Sequence, residues 1–121
     1  MPEEKTKTVL IVDNDSVLPD IYREYFLEES VDIKHVHDTE KALRTINEEE
    51  ISLVLTEHIL GQIDGIEIAR CARPKKIPVI IYTDMTDRGV ISECFDEGAC
   101  EYVIKQHSLP AEVIAIAKKF L

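Results

Sequence analysis

Apolar positions along this chain switch repeatedly between the periods of a strand and a helix. Thr8-Val9-Leu10-Ile11-Val12 is a short continuous apolar run, the pattern of a strand covered on both faces. After it, Ser16 can cap a helix, and Pro19 is tolerated in the first turn, where its missing N–H matters little. Leu18, Ile21, Tyr22, Tyr25 and Phe26 fall at three- and four-residue spacings and predict one apolar stripe. Ile33 to Val36 predicts a second, thinner strand, and Thr39 to Glu49 a helix with Ala42, Leu43 and Ile46 inward. Ile51 to Thr56 makes a third buried strand, followed by a loop ending in Asp64-Gly65 and a short helix carrying Ile66, Ile68 and Ala69. Pro78 to Thr83 is the fourth strand, and Thr86 to Glu97 a helix with Val90, Ile91, Cys94 and Phe95 on one side. Gly98 suits the left-handed position that ends such a helix. Glu101 to Ile104 is the fifth strand, and Ser108 with Pro110 starts a last helix.

Five alternations of strand and helix with short connections predict an α/β fold: a parallel sheet with helices on both faces, in three layers. Right-handed crossovers then leave few topologies open. No internal repeat, low-complexity segment or linker interrupts the pattern. A helical pattern that still runs at Phe120 and Leu121 favours a chain that continues.

Composition changes this picture little. The 121 residues suit one domain, and 45% hydrophobic content with 4 Gly and 5 Pro gives a core adequate without disulfides or metal. Charge excludes more. With 14 Lys+Arg against 24 Asp+Glu the formal net charge is −10, a surface that repels nucleic acid, so direct nucleic-acid binding is not expected. No apolar run approaches the roughly 18 residues of a membrane span. The opening MPEEKTK lacks the apolar stretch of a signal peptide, which points to the cytoplasm. Cys71, Cys94 and Cys100 form no C-x-x-C pair and read as small core residues in a reducing compartment.

In an open sheet of this kind, ligands bind outside the carboxyl ends of the strands. Asp13, Asn14 and Asp15 follow the first strand, and Glu57 and His58 the third. The fourth ends in Thr83 and Asp84, the fifth in Lys105, Gln106 and His107. Oxygen ligands of this sort suit a hard cation such as Mg²⁺, and Lys105 can neutralise an anion. Taken singly, each of these residues is better explained by strands ending at the surface; it is the set in this order that points further. His35 and His37 lie two apart on a strand and face one side, but with no third ligand nearby they read as a solvated or capped pair. His58 and His107 flank the rim without an assigned catalytic role, and Glu48-Glu49-Glu50 reads as a solvated helix end.

V-D-N-D after the first strand, L-V-L-T-E with I-D-G beyond it, V-I-I-Y-T, and G-A-C-E-Y-V-I-K together resemble a two-component receiver domain. Four motifs in this order, each at its strand end, cover nearly the whole chain, and residues 1–121 are expected to be one receiver (response regulatory) domain. The resemblance implies the flavodoxin-like strand order 2-1-3-4-5 and a signalling module of a response regulator rather than an enzyme. Carried over by position, it puts the acidic metal-binding pair on Asp13 and Asn14 and the phosphorylated aspartate on Glu57, the phosphoacceptor-equivalent and third ligand of a weak Mg²⁺ site. The hydroxyl that bonds the phosphoryl group falls on Thr83, the lysine on Lys105, and the aromatic that rotates on activation on Tyr102.

Several positions depart from the family pattern. Glu57 replaces the nucleophilic Asp, and Asn14 one of the acidic pair. Asp84 stands where a small residue is usual, and Gln106 and Gly61 where prolines are usual. Glu57 is longer than Asp by one C–C bond, about 1.5 Å, and in-line phosphoryl transfer depends on positioning. Losing one anionic ligand weakens or removes Mg²⁺ binding. The expected function is therefore a degenerate receiver, or pseudo-receiver, acting as a phosphorylation-independent protein-interaction module. The alternative is a competent switch taking phosphate from a histidine kinase phosphohistidine. A flavin or nucleotide binder on the same fold is a remote third, since Asp13-Asn14-Asp15-Ser16 is acidic and glycine-free. For such a domain a histidine kinase is expected on the first helix, around Leu18 to Phe26. An output protein or domain is expected on the surface of the fourth helix, fifth strand and last helix, with Arg88, Val90, Ile91, Glu101 and Tyr102.

Overall fold

The computed structural model describes residues 6–14, 17–27 and 29–121. Asp15 and Ser16, and with them the expected cap of the first helix, lie outside the described residues. The strands are β1 (Lys7–Val12), β2 (Val31–Val36), β3 (Leu53–Thr56), β4 (Val79–Thr83) and β5 (Glu101–Ile104). The helices are α1 (Val17–Tyr25), α2 (Thr39–Glu48), α3 (Gly65–Ala72), α4 (Arg88–Asp96) and α5 (Pro110–Lys118).

All five strands run parallel in one sheet of order β2-β1-β3-β4-β5. Side chains alternate faces along a strand, so the apolar runs serve two cores. Leu10, Val12, Val54, Val79 and Ile81 face α2, α3 and α4 through Ala42, Ile46, Ile68, Ala69 and Cys94. Val9, Ile11, Leu53, Leu55, Ile80, Tyr82 and Val103 face α1 and α5 through Tyr22, Phe26, Val113, Ile114 and Ala117. This is the three-layer α/β flavodoxin-like arrangement. β2 and β5 form the two edges.

Local chemistry accounts for the helix starts. Asp38 accepts from Lys41 N at 2.8 Å, Asp64 from Ile66 N and Glu67 N, and Asp87 from Val90 N, each filling orphan donors of a first turn. The last helix starts one residue later than Ser108 suggests. Its cap is Leu109, whose N–H donates to Glu112 while Pro110 takes the position that needs no donor. Gly98 ends α4 with φ +114° against the Arg73 side chain.

Three expectations need correction. Tyr25 does not join the α1 stripe: Tyr22 and Phe26 are buried, but Tyr25 is 46% exposed, because the sheet covers only part of the helix circumference. Phe95 is 44% exposed, and Cys94 is the buried residue of α4. The expected loop after β3 contains a two-stranded antiparallel hairpin, Ile59–Leu60 with Ile63–Asp64. Its turn is Gly61-Gln62, with φ +59° at Gly61 and no positive φ at Gln62, the signature of a II′ turn. A proline, held near φ −65°, cannot take that place, so the glycine departure and the hairpin are one feature.

Candidate functional site

Parallel register carries the strand ends to one level. Val12 pairs with both Val36 and Thr56, Thr56 with Ile81, and Thr83 with Ile104. The residue following each strand therefore projects onto the same rim. Asp13 and Glu57 are adjacent there because Glu57 N donates to Val12 O at 3.0 Å. Lys105 opens a short 3₁₀ turn, Lys105–His107, just past β5.

The charged centre has two carboxylates and one ammonium. Lys105 Nζ lies 2.7 Å from Glu57 Oε1 and 3.0 Å from Asp13 Oδ2. Glu57 is 5% and Asp13 2% exposed. The second oxygen of Glu57 accepts from His58 N at 2.9 Å, so both oxygens have partners. Lys105 also stands over the Tyr82 ring, 5.2 Å from its centroid, within range of a cation–π attraction. Gly65 completes the frame: a Cβ there would come within 2.8 Å of Glu57 O and 3.0 Å of His58 Cα, so only glycine lets α3 start this close.

Electrostatics hold the ammonium charged. Burial works against it, but hydrogen bonds to Glu57 and Asp13 outweigh that cost and leave the Lys105 pKa raised. Burial also pushes the Cys94 and Cys100 thiols up to about 11 and the Tyr102 phenol up to about 12. Each shift has the same sign for stability. A raised folded pKa gives a contribution that is complete below the unfolded value and lost as pH rises through the folded one. Urea unfolding should therefore show a midpoint that falls from about pH 9, where unfolded thiols begin to ionise, and continues to fall above pH 10 as Lys105 follows. A midpoint constant to pH 11 would contradict this.

Thr83 is 2% exposed at the end of β4, with no hydrogen bond to Glu57 among the described residues. Asn14 is exposed, and its Nδ2 lies against Gly61, 3.1 Å from where a Cβ would be. Tyr102 is half-buried and donates its hydroxyl to Met85 O at 2.7 Å. Asp84 accepts from Gln106 N at 3.0 Å. Thus Asp13, Glu57 and Lys105 are joined directly, while no such bond ties Thr83, Asn14 or Tyr102 to them among the described residues.

His35 Nε2 lies 2.8 Å from Asp13 O. A carbonyl only accepts, so that nitrogen carries the proton and is not a metal ligand. His37 stacks edge-on with its ring centroid 4.3 Å from that of His35. The acidic run Glu48 to Glu50 is exposed, with Glu49 ion-paired to Lys34. All three cysteines are free. Sequence reasoning missed Tyr82, which carries no charge or spacing signal, and the backbone of His58. The sequence read Asp64-Gly65 only as the end of a loop; the close approach that needs the glycine is seen in the structure.

No described helix is long and apolar enough to cross a membrane. The profile of the response regulator receiver domain family matches residues 9–117. The transcriptional regulatory protein SrrA of Staphylococcus aureus strain NCTC 8325 is 29% identical over 114 residues, covering 93% of this chain and 47% of the relative. The chain thus spans about half the length of the curated relatives it matches. A CheY-like response regulator receiver domain protein from Methanospirillum hungatei JF-1 superposes with TM-score 0.83 at 22% identity, covering 96% of this chain and 94% of that one. The signal receiver domain of an HD domain-containing protein from Pseudomonas fluorescens Pf-5 gives 0.84 at 19%, covering 100% and 90%. These two structures speak for the fold; the profile match over nearly the whole chain assigns it to the response regulator receiver domain family of two-component signalling.

Proposed function

We propose that this chain, residues 1–121 taken as one receiver domain, is a pseudo-receiver: a protein-interaction module that works without phosphorylation. In this reading Glu57 is the phosphoacceptor-equivalent, Thr83 and Lys105 are the former phosphoryl-binding groups, and Tyr102 is the switch aromatic. The observation that carries it is the engagement of Glu57. Both its oxygens are bonded, one to Lys105 and one to His58 N, and the carboxylate is buried. To attack phosphorus, an oxygen held by one of these partners must bring its remaining lone pair into line, and an error near 1 Å costs on the order of 10²-fold in rate. The ion pair also gives the ammonium a resident anion, although with one negative charge rather than the nearly two of a phosphoryl group.

A Mg²⁺ site built from Asp13, Asn14 and Glu57 fits by donor type but not by disposition. The two carboxylates turn onto Lys105, and Asn14 brings an amide in place of a second aspartate. An ammonium between both anions competes with any cation for the same lone pairs, so binding is weak.

Partners on this reading are proteins: a histidine kinase at α1, an output protein or domain at the α4–β5–α5 face. Between Leu18 and Phe26, Tyr22 and Phe26 are buried and unavailable, Leu18 and Ile21 are half-buried, and Asp20, Arg23, Glu24 and Tyr25 are exposed. On the second face Arg88 is exposed, and Val90, Ile91, Glu101 and Tyr102 are half-buried. Incubation with acetyl phosphate and Mg²⁺ followed by intact-protein mass measurement should leave the mass unchanged. A stoichiometric phosphate adduct on Glu57 would favour the competent switch instead.

A further inference from the structure

Two residues of the rim meet without touching Glu57. Asp84 Oδ1 accepts a hydrogen bond from the backbone N–H of Gln106 at 3.0 Å, across 22 residues of sequence. The bond joins the loop that leaves Thr83 to the 3₁₀ turn that begins at Lys105. One residue further along the loop, Met85 O accepts from the Tyr102 hydroxyl at 2.7 Å. The segment between β4 and α4 is therefore strapped at consecutive residues, once to the turn after β5 and once to β5 itself. At its far end Asp87 caps α4 through Val90 N.

The donor and the acceptor stand at two of the positions where this chain departs from the pattern it resembles. A proline at 106 has no N–H to give, and a small residue at 84 has no carboxylate to receive one. The two departures thus supply the halves of a single bond. Both residues are exposed, so its worth is modest, roughly a factor of ten in a two-arrangement equilibrium. That suffices to choose between arrangements of a short loop.

We propose that Asp84 is a positioning residue: through the Gln106 N–H it latches the β4–α4 loop to the Lys105 turn, and so keeps Met85 on the Tyr102 hydroxyl without a phosphoryl group. This rests on the phosphate-independent reading and adds to it what holds the loop.

The test follows amide exchange and resonance positions by NMR in the whole chain carrying Asp84→Ala, Gln106→Pro, both, or Asp84→Asn. Asp84→Ala should speed Gln106 amide exchange about tenfold and move the Met85 and Tyr102 resonances. Gln106→Pro should move those resonances in the same direction, and the double variant should add nothing further, since both remove one bond. Asp84→Asn keeps an acceptor oxygen and should restore most of the wild-type positions. Unmoved Met85 and Tyr102 signals in the single variants, or shifts that add independently in the double, would overturn the latch. If Gln106→Pro does not fold, Asp84→Ala against Asp84→Asn decides: recovery in the second supports the latch, equal loss refutes it. A phosphate adduct on Glu57 would defeat the pseudo-receiver reading while leaving these exchange rates as they are, so the two failures are separable.

Discussion

Replacing Lys105 by methionine is expected to destabilise the fold by about 3–5 kcal/mol, the cost of removing one partner from a buried ionic cluster. The ammonium lies within 3.0 Å of two carboxylates that are themselves almost wholly buried. Without it, Asp13 and Glu57 would face each other as like charges with little water between them. Methionine keeps the volume and the apolar stem, so the loss reports charge rather than packing. Adding Glu57→Gln to Lys105→Met should recover part of the stability, because only one of the two neighbouring carboxylates is then charged. Urea unfolding of the three variants measures both effects. A loss below about 1 kcal/mol for Lys105→Met, the range of exposed pairs, would mean that solvent screens the cluster far more than its burial implies.

The second large effect is chemical. Glu57→Asp should raise labelling by acetyl phosphate and Mg²⁺ by on the order of 10²-fold. Shortening the side chain by about 1.5 Å draws the carboxylate back from Lys105, to which Glu57 now reaches at 2.7 Å. The space released lies beside Asp13 and Lys105, where a phosphoryl group would have the ammonium as its counter-charge. Mass measurement over a time course gives the rate. If the Asp variant stays as inert as the parent, the block lies with Asn14 or Asp84 rather than with the length of residue 57.

Much of the architecture was legible because it rests on burial, and burial leaves a pattern. Strands covered on both faces must be apolar throughout, so β1, β3 and β4 stand out as unbroken runs. Gly98 was readable for the related reason that a left-handed residue at a helix end favours glycine. The convergence of Asp13, Glu57, Thr83 and Lys105 followed from topology alone, since parallel strands put all their carboxyl ends on one edge. What could not be read is what local pattern does not encode. Two-residue strands such as Ile59–Leu60 have no period, and Gly61-Gln62 is a sparse turn signal. Tyr25 and Phe95 share the spacing of their buried neighbours, and only the position of the sheet decides which of them it covers. The Glu57 carboxylate takes its direction from a lysine 48 positions away, and the Asp84–Gln106 bond pairs two residues that look like separate irregularities in the chain.

The order of the sheet has a consequence for handling the protein. With β2 at one edge, the backbone groups along its open side offer a template to another molecule, and Asp32 and Lys34 on that strand are among the charges that discourage stacking. Mutual repulsion from the overall charge of −10 guards the same edge at neutral pH, and it vanishes near the isoelectric point of about 4.8. Solutions acidified toward that value should turn cloudy or form fibrils sooner than neutral ones, with β2 as the seam along which copies join.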